Sequence, residues 1–292
     1  MECVVGPVCG LLHYQFDKLD HAPPDLDLVF LGDSSLGLSV DAVAFSRLYG
    51  KPAMNLALAG WMFNLPSMYN MLLHVTRKTK VRTMVLMLTP HDYELLESNR
   101  VDLAFQGVVR TARFDFDMLL WSLREYHIYF LISLFQELSL KNIIHGIKYR
   151  YSYIPYNYKD EIVNDYQPGG VNRYVLAGEL VPLETIKKQF MVASRRHLAA
   201  LQAIGATCRT FGIRCIYSHG TVFEQTARNS KKMIMEINTM VKSAGLILAD
   251  PDPVFIRHHE LGDSVNHIAP QFKSLFTEKI FARLRPHLIP DE

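Results

Sequence analysis

No two of the four cysteines stand in C-x-x-C spacing: Cys3, Cys9, Cys208 and Cys215 are scattered along the chain. That spread points to neither a zinc site nor a small disulfide scaffold. Cys208 and Cys215 would pair only if the turn between them folds back, so packing is their expected role and the redox compartment stays open. Long apolar runs are missing too. The longest, residues 3–12 and 128–135, fall short of the about 18 residues needed to cross a bilayer. The first run also lacks a basic leader and a small-residue cleavage site, so it does not read as an intact signal peptide; the remnant of an anchor is the alternative. Neither sign of charge dominates. With 31 basic and 29 acidic residues the formal charge is +2, too small to mark a nucleic-acid surface. The segment 32–37 has neither a Walker lysine nor G-x-G-x-x-G spacing, which weakens a phosphate-cradle reading.

What is present suits a globular chain with a sizeable core: 49% apolar and 21% charged residues. Its 292 residues read as one α/β domain, 1–292, with one large insertion. Five short apolar runs, at 27–32, 53–58, 83–88, 213–217 and 246–249, each end within two residues of a Gly, Pro, Ser or Asp and read as buried parallel strands. Helical patterns fill the gaps at 39–50, 66–76, 184–210 and 221–243. A last helix starts near Pro270 and sets Phe272, Leu275, Phe276, Ile280 and Leu284 on one apolar face. Strands alternating with helices imply a parallel sheet covered on both sides, with ligands bound where the strands' carboxyl ends open into loops.

The insertion spans about residues 93–182. It contains an amphipathic pattern at 116–138 and then a tyrosine-rich stretch; Tyr149, Tyr151 and Tyr153 would share one face of an extended strand. Such a row suits a sugar ring, and equally a lid or docking surface packed on its own helices.

Three strand ends carry candidate chemistry. Gly32-Asp33-Ser34 closes the first strand, where a serine hydroxyl can project beside backbone N–H groups able to hold an oxyanion. Asn55 to Gly60 closes the second, and Gly60 lets the backbone approach a substrate. Gly262-Asp263-Ser264-Val265-Asn266-His267 precedes the final helix and supplies both a base and an acid to orient it. Ser264 repeats the Gly-Asp-Ser tripeptide, but residues 257–260 before it form no buried strand, so Ser34 is the preferred nucleophile. His258, His259, Asp263 and His267 fit no familiar zinc spacing.

These blocks, in this order, resemble the SGNH or GDSL hydrolases: Gly32-Asp33-Ser34-Ser35 the first block, residues 55–60 the second, residues 263–267 the last. The likeness covers most of 25–90 and 210–285. It implies a three-layer α/β/α sandwich around a five-stranded, flavodoxin-like parallel sheet, and a serine esterase or acyltransferase without metal or other cofactor. Ser34, His267 and Asp263 would be its triad, with the N–H groups of Ser34 and Gly60 in the oxyanion hole. The family's third block, Gly-x-Asn, is replaced by Thr89-Pro90-His91-Asp92. Thr89 or His91 would then substitute for the asparagine, or the hole would rest on Ser34 and Gly60. Three residues between Asp263 and His267 resemble the branch linked to bacterial cell-surface polysaccharide O-acylation, including alginate O-acetylation and D-alanyl transfer proteins. That branch implies an acylated carbohydrate substrate, a membrane acyltransferase partner and an extracytoplasmic place. The alternatives are a cytoplasmic esterase and a non-catalytic binding or assembly subunit on the same fold.

Overall fold

The computed structural model describes residues 6–58, 65–94, 111, 120, 123–124, 196–262 and 264–288. Its sheet holds β1 (Leu28–Gly32) between β2 (Ala53–Ala57) and β3 (Thr83–Leu88), then β4 (Arg214–His219) and the short β6 (Ile247–Leu248). All pairings are parallel, in the order β2-β1-β3-β4-β6. Every residue of β1 and β3 is buried, which explains why these strands are continuous apolar runs in the sequence. Because side chains alternate across a strand, Val29, Leu31, Leu86 and Tyr217 feed one core and Leu28, Phe30, Val85 and Ile216 the other.

Helices close both cores. On the first face lie α1 (Gly6–Asp20), α4 (Leu65–Lys78), α6 (Arg196–Thr210) and α8 (Lys231–Ser243); on the second lie α3 (Ala42–Tyr49) and α9 (Lys273–Leu288). The protein is thus mixed α/β, with a five-stranded parallel sheet flanked by helices. Fully burying one aromatic or aliphatic side chain, as Phe30 and Phe45 are buried here, contributes about 1.5–3 kcal/mol.

The described apolar side chains of α1 are packed. Leu11, Leu12, Phe16 and Leu19 of α1 are buried, and the Phe16 ring meets His74 of α4 edge-on. On the same helix Gln15 donates to the Ala57 carbonyl at 2.6 Å and Lys18 donates to the Asn55 carbonyl. Among the described residues no helix is long and apolar enough to cross a membrane. Cys208 and Cys215 are free thiols in the first core, brought together as Gly212, at φ 64°, turns α6 into β4. The packing expected of them is what they do.

One expectation needs an addition and two need correction. The helix expected to start at 39–41 and end at 49–50 is α3, capped by Asp41, which accepts from Ala44 N at 2.9 Å, but an unexpected helix precedes it, α2 (Ser34–Ser39). Nearly all of α2 is buried, so no amphipathic stripe announces it. The helix expected at 221–243 starts instead as β5 (Thr221–Phe223), which pairs in parallel with β7 (Val254–Ile256). Two helices follow it, α7 (Glu224–Asn229) and α8. In the last helix Leu275 is 42% exposed, and the inward face is Phe276, Ile280, Leu284 and Leu288 at four-residue steps. Most of the insertion lies outside the described residues, including nearly all of 116–138 and the row Tyr149, Tyr151 and Tyr153.

Candidate active site

The turn after β1 is held by close backbone approach. A β-carbon on Gly32 would lie 2.0 Å from the Met87 carbonyl oxygen, so only glycine lets β1 pass β3 at this point. Asp33 follows in an extended conformation and caps α2. Its Oδ1 accepts from Ser35 N at 2.8 Å and Ser35 Oγ at 2.5 Å, and its Oδ2 accepts from Thr89 N at 2.8 Å. One carboxylate thereby joins the nucleophile turn to the end of β3. Ser34, the first residue of α2, is half-buried with its hydroxyl turned away from this clamp.

The partner of that hydroxyl arrives from the loop before α9. Gly262 N donates to the His267 carbonyl at 2.8 Å, and Leu261 and Ile268 form an antiparallel bridge. Thr221 Oγ1 donates to the Asn266 carbonyl at 2.7 Å, and Phe223 N donates to the Val265 carbonyl at 2.6 Å. Below the loop, buried Glu260 accepts from Arg257 N at 2.8 Å and pairs with Lys279 of α9 at 3.1 Å. So pinned, the loop sets His267 Nε2 2.8 Å from Ser34 Oγ. Ser264, the rival nucleophile, turns back into its own loop and donates to Asn266 Oδ1 at 2.5 Å. Asp263 and Gly60 lie outside the described residues.

At the end of β3 the sequence offered Thr89 and His91 as substitutes for an asparagine. Both donors of Thr89 are engaged: its N–H by Asp33, and its hydroxyl by Asp92 Oδ2 at 3.3 Å. His91 is half-buried at the start of α5 (His91–Glu94). Asn55 does not face the turn as a free donor. Its Nδ2 donates to the Val40 carbonyl at 3.0 Å and its Oδ1 accepts from Ala57 N at 2.9 Å, ties that hold β2 to the segment after α2.

Sequence reasoning missed Asp92, which is buried and hydrogen-bonded to Asp33. Burial pushes its carboxyl well above the ordinary range, and the charge of Asp33 pushes it further. Asp33 moves the other way. Burial works to raise it, but hydrogen bonds from Asp92, Ser35 and Thr89 together hold it below its usual value. Two buried carboxyls in contact cannot both ionise cheaply; the one with more donors keeps the charge. The only trace of this in the sequence is an acidic residue four positions past the end of the buried strand β3.

The remaining groups around the sheet edge have local explanations. The rings of His258 and His259 lie edge-on to Phe223 and Phe272. No three metal-ligating side chains cluster among the described residues. The first turn of α2 already receives the Asp33 carboxylate, so a phosphate there would meet a like charge. Comparison of the chain with models of known protein families, with curated proteins and with solved structures found no match.

Proposed function

We propose that this protein is a serine-dependent ester hydrolase or O-acyltransferase, a resemblance-based member of the SGNH hydrolases with their flavodoxin-like three-layer sandwich. One observation carries the reading: His267 Nε2 lies 2.8 Å from Ser34 Oγ, with Ser34 just past the carboxyl end of β1, an interior strand of a parallel sheet. Such ends are where α/β sheets bind ligands.

In this reading Ser34 Oγ attacks an ester carbonyl as its proton passes to His267 Nε2, and the alcohol leaves with that proton. Asp263 orients the imidazole. The oxyanion rests on the N–H groups of Ser34 and Gly60, with His91 as the third donor, since Thr89 has both of its donors committed to carboxylates. The acyl group then passes from Ser34 to water, giving an esterase, or to a sugar hydroxyl, giving a transferase. The spacing of Asp263 and His267 favours an acylated carbohydrate or cell-surface polysaccharide as substrate. The same resemblance favours an extracytoplasmic place, a membrane acyltransferase as partner, and a sugar-facing role for Tyr149, Tyr151 and Tyr153.

A fluorophosphonate probe tests the proposal. Labelling that maps to Ser34 and disappears in Ser34→Ala is the expected result. Intact, folded protein that never labels would sink it and return the non-catalytic binding subunit. Acetate release from an acetyl ester, measured with and without an oligosaccharide acceptor, separates the two enzyme classes; release indifferent to every acceptor tried rules against the transferase.

A further inference from the structure

We propose that Asp92, as a neutral acid, is a positioning residue that holds the Ser34 hydroxyl in place through Asp33; this rests on the reading of Ser34 as nucleophile. An ionised carboxylate offers about four acceptor sites. Ser35 N, Ser35 Oγ and Thr89 N take three of them, at 2.8, 2.5 and 2.8 Å. Asp92 is the fourth neighbour, and only a protonated carboxyl can donate there.

The two acids are not equivalent. Apart from Asp92, Asp33 accepts from two residues, Ser35 and Thr89, at 2.5–2.8 Å, whereas Asp92 accepts from Thr89 alone, whose hydroxyl stands 3.3 Å away. The proton therefore resides on Asp92. The other titratable groups facing this pair are the buried phenols of Tyr93 and Tyr217, both raised above their ordinary values chiefly by burial. They add no charge at neutral pH, and among the described residues no cation pairs with Asp33.

The consequence for Ser34 is mechanical. Ser34 is the first residue of α2, and the Asp33 bond to Ser35 N sets the first turn of that helix. Removing the Asp92 donor leaves a buried carboxylate short of one partner, and such a group relaxes by moving or by taking a proton itself. Either response loosens Ser35 and Thr89 together, and the Ser34 hydroxyl leaves its 2.8 Å contact with His267.

The test compares the full chain with Asp92→Asn and Asp92→Ala by the second-order rate of fluorophosphonate labelling at Ser34, with infrared spectra at pH 7. The amide of Asp92→Asn still donates to Asp33, so its rate stays within about threefold of the parent. Asp92→Ala, folded by circular dichroism, labels at least roughly tenfold more slowly. The parent shows a protonated-carboxyl C=O band that Asp92→Asn lacks. A folded Asp92→Ala labelled at the parent rate overturns the proposal, as does Asp92→Asn impaired by tenfold or more. Should Asp92→Ala fail to fold, Asp92→Asn and the infrared band decide between the same outcomes. A parent that never labels at Ser34 defeats the nucleophile reading instead. The carboxyl pair is then judged by the band alone, whose absence from the parent at pH 7 overturns it and whose loss in Asp92→Asn upholds it.

Discussion

Gly220 and Ser35 approach so closely that a β-carbon on Gly220 would stand 2.3 Å from Ser35 Oγ, and 3.0 Å from Thr89 Cγ2. The contact is fixed from behind. Gly220 N donates to the Leu88 carbonyl at 2.9 Å and the Gly220 carbonyl accepts from Val254 N at 3.3 Å, so the backbone past β4 cannot retreat from the nucleophile turn.

Gly220→Ala should therefore force Ser35 away from Asp33. The expected cost is about 1–3 kcal/mol of folding stability, together with slower labelling of Ser34. Urea denaturation measures the first and probe kinetics the second. An alanine variant with the parent's midpoint and rate would mean that the turn yields freely.

Removing the imidazole should be far more damaging than removing the rival serine. His267→Ala is expected to slow labelling of Ser34 by roughly 10²–10⁴-fold. Ser264→Ala, which loses only the hydroxyl bonded to Asn266, should remain within a few-fold of the parent. Peptide mapping checks both, and label found on Ser264 would reverse the assignment.

The loop that carries His267 has its anchor in Glu260. Glu260→Ala leaves the Arg257 N–H and the Lys279 ammonium without their carboxylate, at an expected cost of about 1–3 kcal/mol. Because Ala269 N also bonds the Glu260 carbonyl at 2.8 Å, both ends of the 261–268 hairpin feel the change. Limited proteolysis should cut there sooner, and unaltered cleavage would argue against the anchor.

Acid should destabilise the fold through two buried imidazoles. His197 Nε2–H donates to the Tyr93 carbonyl at 2.7 Å, and His219 Nε2 shares a 2.7 Å hydrogen bond with Asn238 Oδ1. Each Nδ1 is buried with no hydrogen-bond partner among the described residues. Burial lowers both from 6.5 to about 4. Between those values the unfolded chain binds more protons than the folded one. Their contribution is thus complete above pH 6.5 and is lost as the pH falls towards 4. Asp92, raised on folding, acts in the opposite sense: what it contributes is present in acid and lost as the pH rises. Comparing His197→Gln with the parent cancels that opposing trend. The variant's stability should fall less steeply between pH 6.5 and 4, by up to about 1.4 kcal/mol per pH unit. Identical slopes in urea titrations would contradict the shift.

The sheet was legible because burial on two faces writes an unbroken apolar word: residues 83–88 match β3 at both ends. Ser34 and His267 were legible for a related reason, since each sits beside an element whose pattern is strong. The rest depends on contacts that leave no period. β5 exists because Thr221 to Phe223 finds β7 some thirty residues later, and α2 hides because nearly all of it faces inward. Asp92 was missed since a buried acid looks like any loop aspartate until its partner Asp33 is seen beside it.

The bonds from α1 to β2 bear on how the sheet ends. β2 forms one flank of the sheet, where unpaired backbone groups invite strand addition from another chain. Here the chain's own side chains answer them. Gln15 and Lys18 take the Ala57 and Asn55 carbonyls, Ser46 Oγ takes the Ala53 N–H at 2.9 Å, and Asn55 Oδ1 takes the Ala57 N–H. The opposite flank, β6, is only two residues long. Protection against edge-to-edge aggregation is thus supplied by side chains from neighbouring elements on one side and by brevity on the other. Replacing Gln15 and Lys18 with leucine would strip the Ala57 and Asn55 carbonyls of these donors and leave that half of the border open to a foreign strand.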